Sequence, residues 1–282
     1  MKKRSWMTLG IALTFLATAL LAGCGSNKGG NGNGANGEST SEAVSALESI
    51  KNRGKLVVGV KYDTKLFGLK DPASGNVEGF DVDIAKALAK EILGDETKIE
   101  LKEVTSKTRI PMLNNNDIDM IVATMTITEE RKKEVDFSDV YFKAGQSLLV
   151  KKGSPIKSID DIKKGTKVLA VKGSTSVDNI KAKAPDATIL EFDNYQDAFS
   201  ALKAGQGDTL TTDNAILYGM AVQDPNYEVV GEPFTDEPYG IAIKKGSTDL
   251  LNSVNAGLKK LYDSGEYDKI YEKWIGKAPS GE

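Results

Sequence analysis

The sequence predicts an α/β fold of two lobes facing across a cleft, and three observations carry that expectation. Apolar, β-rich runs alternate with amphipathic helical stretches. The alternation restarts near residue 147. Roughly 230 residues follow a Gly/Asn-rich linker, room for one large domain or two lobes. The apolar content of 40% is that of an ordinary globular chain.

The first element is an export signal. Lys2, Lys3 and Arg4 form a positive n-region, and residues 9–21 (LGIALTFLATALL) form an apolar stretch. A spanning helix would need about 20 apolar residues, and this run stops at Gly23. Leu21-Ala22-Gly23-Cys24 resembles the lipobox of bacterial lipoproteins, which implies cleavage before Cys24 and acylation of its thiol. An ordinary cleaved signal with an incidental cysteine is the alternative. Residues 25–40 are almost entirely Gly, Asn and Ser, with no apolar face to bury. They form a leash of roughly 20–25 Å root-mean-square span. Residues 1–23 are thus read as signal peptide and 24–46 as lipidated cysteine and linker, tethering the protein to the outer face of the cell membrane.

Residues 55–60 (KLVVGV) read as a strand buried on both faces. Residues 81–93 place Ile84, Leu88 and Ile92 on one helical stripe, with Asp81 and Asp83 at the N-terminal end favoured by the helix dipole. Two residues apart, those carboxylates face different ways, so a dipole and packing role is favoured over paired chemistry. Residues 98–104 form a second strand. Thr105 or Ser106 caps a short helix with Ile110, Met112 and Leu113. Residues 120–125 form a third strand, and Thr128 caps the helix that follows.

The second set begins with a strand at 147–151 and the turn Gly153-Ser154-Pro155. A strand at 168–171 enters the loop 172–176, followed by a helix to about residue 184 and a strand at 188–192. A helix over 195–204 turns Ala198, Phe199 and Leu202 inward, and a strand at 209–212 leads into Asp213. Residues 241–243 return as a strand. One C-terminal helix holds Leu250, Val254, Leu258 and Leu261, and a second holds Ile270, Tyr271 and Trp274. Such alternation indicates βαβ units and parallel sheets.

The inventory excludes several chemistries. With no histidine and Cys24 as the single cysteine, Ser–His and Cys–His catalysis and His- or Cys-bound zinc are absent. A formal charge of −3, with both signs spread along the chain, gives no basic face for nucleic acid. No catalytic residue, metal or cofactor is expected.

Seven pieces in order carry a resemblance: Gly79-Phe80-Asp81-Val82-Asp83-Ile84; residues 105–111 (TSKTRIP); residues 123–131 (ATMTITEER); Asp136-Phe137-Ser138-Asp139; Gly173-Ser174-Thr175-Ser176; Thr212-Asp213; and Tyr239-Gly240. Together they resemble the extracytoplasmic solute-binding proteins of polar amino-acid ABC transporters, family 3, from about residue 56 to 274. The resemblance implies a periplasmic-binding-protein-like fold of type II, with lobe 1 at 47–140 plus 242–276 and lobe 2 at 146–236. It puts the hinge crossings at 141–145 and 237–241. The expected partners are a polar amino acid, a membrane permease and, through it, an ATPase, with the binding protein a monomer.

A buried amino acid must have both its charges paired. The planar fork of arginine suits a carboxylate, and Arg131 lies near a helix start, beside Thr126. The resemblance implies that Arg131 holds the α-carboxylate with Thr126 and Thr124. Ser174 and Thr175 would assist from the opposite lobe, and Asp213 would accept the α-ammonium. Candidates for the ligand side chain are Lys61 and Asp63, which follow the first strand, and Ser106 and Arg109, which begin the short helix. Ser106 and Arg109 match the spacing of glutamate/aspartate binders. Lys61 with Arg109 would leave buried charge against a neutral ligand, although Asp63 can neutralise one of them. Lys172 resembles a residue that serves the amide in glutamine binders. The reading favours glutamate or aspartate, with glutamine as the alternative; a dehydratase-like enzyme and a ligand sensor are the other functional classes.

Overall fold

The computed structural model describes residues 44–276. The signal, Cys24 and most of the linker lie outside the described residues. The chain begins with α1 (Ala46–Arg53), capped by the Ser45 side chain on the Glu48 amide. This helix starts one residue inside the stretch read as linker. It is followed by β1 (Leu56–Val60), β2 (Asp63–Thr64), β3 (Gly68–Lys70), β4 (Val77–Glu78), α2 (Phe80–Leu93), β5 (Ile99–Glu103), α3 (Arg109–Asn114), β6 (Met120–Ile121), α4 (Glu129–Glu134) and β7 (Val135–Ala144). Gly145 leads into β8 (Gln146–Lys151), β9 (Lys167–Val171), α5 (Thr175–Lys183), β10 (Thr188–Phe192), α6 (Tyr195–Lys203), β11 (Thr209–Asp213), α7 (Asn214–Gln223) and β12 (Tyr227–Val230). β13 (Glu237–Lys244), α8 (Thr248–Asp263) and α9 (Glu266–Trp274) complete the described chain.

Two five-stranded sheets result, in the orders β5-β1-β6-β13-β7 and β10-β9-β11-β8-β12. This is the expected two-lobed α/β architecture. The sheets are not wholly parallel, however. β1 runs parallel to β5 and β6, whereas β13 is antiparallel to β6 and β7. In the second sheet β9 is parallel to β10 and β11, and β8 is antiparallel to β11 and β12. The reason is topological: β13 and β8 each enter their sheet from the other lobe, and both take the fourth position.

Apolar clusters cover both faces of each sheet, as parallel strands require. In lobe 1 the larger cluster joins α2, α8 and β13 around Phe67, Phe80, Tyr141, Phe142 and Tyr239. Phe80 meets Phe67, Phe142, Tyr267 and Tyr271 edge-on at 5.5–5.9 Å between ring centroids. The third strand is shorter than its apolar run: β6 ends at Ile121, and residues 122–126 continue as a buried loop. The stretches read as crossings are regular strand for most of their length, since Ala144, Lys143 and Phe142 pair with Glu237, Pro238 and Tyr239.

Candidate ligand-binding site between the lobes

The loop after β6 is held in an unusual shape. Thr124 has a φ of +44°, a left-handed conformation that few non-glycine residues adopt. Two buried neighbours fix it. Asp81, in the first turn of α2, accepts the Thr124 amide at 2.9 Å and the Tyr141 hydroxyl at 2.8 Å. Arg109, at the start of α3, donates Nη1 to the carbonyls of Ala123 at 2.7 Å and Thr124 at 3.3 Å. Burial pushes the Asp81 carboxyl up to about 7, against the pull of those hydrogen bonds. Asp83 turns away to Lys273 and the Trp274 indole, so the two carboxylates serve different partners.

Three cations stand around this loop. Burial pushes the Arg109 guanidinium down to about 9, and neighbouring Arg131 adds to the effect. Lys61 is fully buried, donates to Ser106 Oγ at 2.9 Å and lies 5.0 Å from the centre of the Tyr195 ring. Burial pushes its ammonium down to about 8, with Asp63 opposing and Arg109 reinforcing the shift. Arg131 is placed by the α4 cap, where its amide donates to Thr128 Oγ1. Its Nη1 donates to the Thr126 carbonyl at 2.8 Å and its Nη2 to the Gly173 carbonyl at 3.0 Å. One guanidinium therefore spans both lobes.

Lobe 2 contributes Asp213, the last residue of β11. Its Oδ2 accepts the Tyr239 hydroxyl at 2.6 Å. Burial pushes its carboxyl up to about 7, and the Glu237 charge adds to this. Ser174 donates to the Val171 carbonyl and Thr175 to Glu237 Oε2. Each hydroxyl hydrogen is therefore already committed. No side chain caps the start of α5, which leaves its first amides free to face an anion. A groove of about 570 Å³ between the lobes is lined by Thr128, Arg131, Ser174, Thr175 and Asp178.

Among the described residues, four buried side-chain polar atoms lack a hydrogen-bond partner, and three of them belong here: Arg109 Nε, Thr124 Oγ1 and Asp213 Oδ1. Such atoms are rare in proteins and costly to bury. A donor, a hydroxyl and a carboxylate oxygen together match a small zwitterion. Lys61, Ser106, Arg109, Thr124, Thr126, Arg131 and Asp213 are thus brought together. Two predicted residues are differently engaged. Asp63 reaches across the cleft, accepting the Tyr195 amide at 2.7 Å while its carbonyl accepts Gln196 Nε2 at 2.9 Å. Lys172 pairs with Asp193 at 2.8 Å, with its side chain 39% exposed at the rim. The lobes also touch through glycines. A Cβ on Gly173 would lie 2.8 Å from the Lys107 backbone, and one on Gly219 would lie 2.6 Å from the Lys65 carbonyl oxygen.

Sequence reasoning missed the supporting roles of Tyr141, Tyr195 and Glu237, and read Asp81 as a dipole partner. Asp81 and Tyr239 stood inside quoted motif pieces. Tyr141 and Glu237 fell in stretches read as hinge, where no pattern marks a buried partner.

The family of bacterial extracellular solute-binding proteins, family 3, matches residues 56–277. The chain belongs to that family. This solute-binding protein is 64% identical over 269 residues to the ABC transporter glutamine-binding protein GlnH of Bacillus subtilis, covering 95% of this chain and 96% of the relative. It is 63% identical over 251 residues to the glutamine-binding protein of Geobacillus stearothermophilus, covering 88% and 95%. Among solved structures, an ancestral arginine-binding protein bound to glutamine is similar at a TM-score of 0.75 and 48% identity, covering 80% of this chain and 99% of that one. The protein is an extracytoplasmic solute-binding protein.

Proposed function

We propose that the protein captures glutamine outside the cytoplasm and delivers it to an ABC permease by closing its lobes around the ligand. The observation that carries the choice of ligand is the similarity, above 60% identity and over most of each chain, to two glutamine-binding proteins. It reverses the preference for an acidic side chain drawn from Ser106 and Arg109. Charge balance supports the reversal. Lys61 and Arg109 are the side-chain cations, and Asp63 and Asp81 both bear on Lys61, with Asp81 also sensing Arg109. Two carboxylates stand against the two cations, so a neutral amide leaves less buried charge uncompensated than the cation pair alone suggests.

In this reading Arg131, Thr124, Thr126 and the first amides of α5 hold the α-carboxylate, and Asp213 takes the ammonium. Lys61, Ser106 and Arg109 meet the side-chain amide. Because the groups come from both lobes, the ligand binds the closed form better and shifts the equilibrium toward it. Movement is assigned to Gly145 and residues 231–236, between the paired strands and lobe 2. Acylated Cys24 and its leash keep the cleft near the permease, and the binding protein acts as a monomer.

Calorimetry of the domain with glutamine, glutamate, aspartate and arginine tests the ligand. Glutamine is expected to bind tightest; tighter glutamate binding would restore the acidic reading. Arg131→Ala is expected to abolish both binding and the compaction seen by X-ray scattering. Compaction retained in that variant would remove Arg131 from the site.

A further inference from the structure

Glu237 is 2% exposed, the first residue of β13, and stands opposite Ala144, the last residue of β7. It therefore sits where both strands leave lobe 1. Three donors from the lobe 2 side converge on its carboxylate: Thr175 Oγ1 at 2.8 Å, Asn179 Nδ2 at 2.7 Å and Thr235 Oγ1 at 2.9 Å. Thr175 and Asn179 lie on α5, the helix whose N-terminus faces Arg131. Gln146, fully buried on the other strand crossing between the lobes, is tied to the same helix. Its Oε1 accepts Asn179 Nδ2 at 2.9 Å, and its Nε2 donates to the Ser176 carbonyl at 3.3 Å and to Thr211 Oγ1 at 2.8 Å. The Gln146 amide in turn donates to Thr235 Oγ1 at 3.1 Å.

We infer that Glu237 is a positioning residue that locks the carboxylate-binding turn at the start of α5 to both crossing strands. Seating of the ligand's carboxylate is thereby transmitted to the hinge. The inference rests on the glutamine-binding reading above and deepens it. Two features set it apart from simple core packing. First, a hydroxyl has one hydrogen, and Thr175 gives it to Glu237; Thr175 then meets the ligand through its backbone amide, whose direction the Glu237 bond helps set. Second, the carboxylate accepts three donors, which an amide of the same shape cannot do, because its nitrogen faces a donor. Glu237 also raises the Asp213 carboxyl and bears on Arg131, so its charge reaches both ends of the ligand site.

The test compares wild type, Glu237→Gln, Thr175→Val and the double variant by glutamine calorimetry, X-ray scattering at saturating glutamine, and ligand-free melting. Losing one charged hydrogen bond is expected to weaken glutamine binding about tenfold in each single variant. Ligand-induced compaction becomes incomplete, over and above the lowering of ligand-free melting that the broken buried bond itself brings. The double variant loses less than the sum of the two, because both substitutions remove the same bond. A lower ligand-free melting temperature with wild-type affinity and full compaction would make Glu237 a packing residue and overturn the inference. Should Glu237→Gln fold poorly, Thr175→Val, which keeps the carboxylate, reads the same coupling. If wild type itself neither binds nor compacts with glutamine, the binding reading fails and this inference falls with it. Normal wild-type compaction matched by both variants refutes the inference alone.

Discussion

If Asp213 takes the ligand's ammonium as proposed, this one buried carboxylate sets the acid limit of binding. Without a ligand its carboxyl is pushed up to about 7 by burial and by Glu237. A ligand ammonium favours the ionised form, so binding between about pH 5 and 7 releases a proton, and affinity falls toward tenfold per unit as pH drops. Calorimetry in buffers of different protonation heat should detect that release in wild type and lose it in Asp213→Asn. Above about 8 the Lys61 ammonium also begins to discharge, which places the best binding between these limits. The stability sign differs. Asp81 and Asp213 have folded values near 7, above their ordinary 3.8. Their contribution is fully present below about pH 4 and is lost as pH rises through about 7. The ligand-free site is therefore destabilised at the pH where it binds. At this scale the sequence singled out Arg131 and Asp213 through motif pieces whose chemistry suits the two ends of a zwitterion. It was silent on the backbone of Thr124, whose left-handed conformation is held by Asp81 and Arg109 rather than by any local preference.

Elements divide in the same way. β1, α2 and α6 were legible because their apolar positions follow one period and their neighbours cover one stripe or both faces. α7 was not, because Asn214–Gln223 carries no charged residue and no polar stripe. β7 was hidden too, since among the described residues it pairs only with β13, and register shifts at Tyr239/Gly240 and Gly240/Ala242 break its alternation. α7 carries a prediction of its own. Gly219 lies mid-helix, where alanine is better by about 1 kcal/mol, yet its Cβ would meet the Lys65 carbonyl oxygen of lobe 1 at 2.6 Å. Gly219→Ala should therefore oppose the contact between the lobes and weaken glutamine binding by roughly 1–3 kcal/mol of overpacking. Unchanged affinity on calorimetry would mean that this contact does not limit closure.

For the whole molecule, the sequence revealed two α/β sets but not how they are stitched. Parallel sheets were expected because strand and helix alternate, and alternation does not report a strand that arrives from the other lobe. β8 and β13 do so, and each fills the fourth place in its new sheet. That exchange dictates an order of assembly. Every strand of the second sheet lies within residues 146–230, so its hydrogen bonds can form from one continuous stretch of chain. The first sheet cannot do this, because among the described residues β7 has no neighbour but β13, about a hundred residues further on. Pulse-labelled hydrogen exchange during refolding should find the amides of β8–β12 protected before those of β7 and β13; simultaneous protection would refute it. A chain emerging N-terminus first would thus close the lobe it began last, and keep its opening lobe unfinished until residue 244 had appeared.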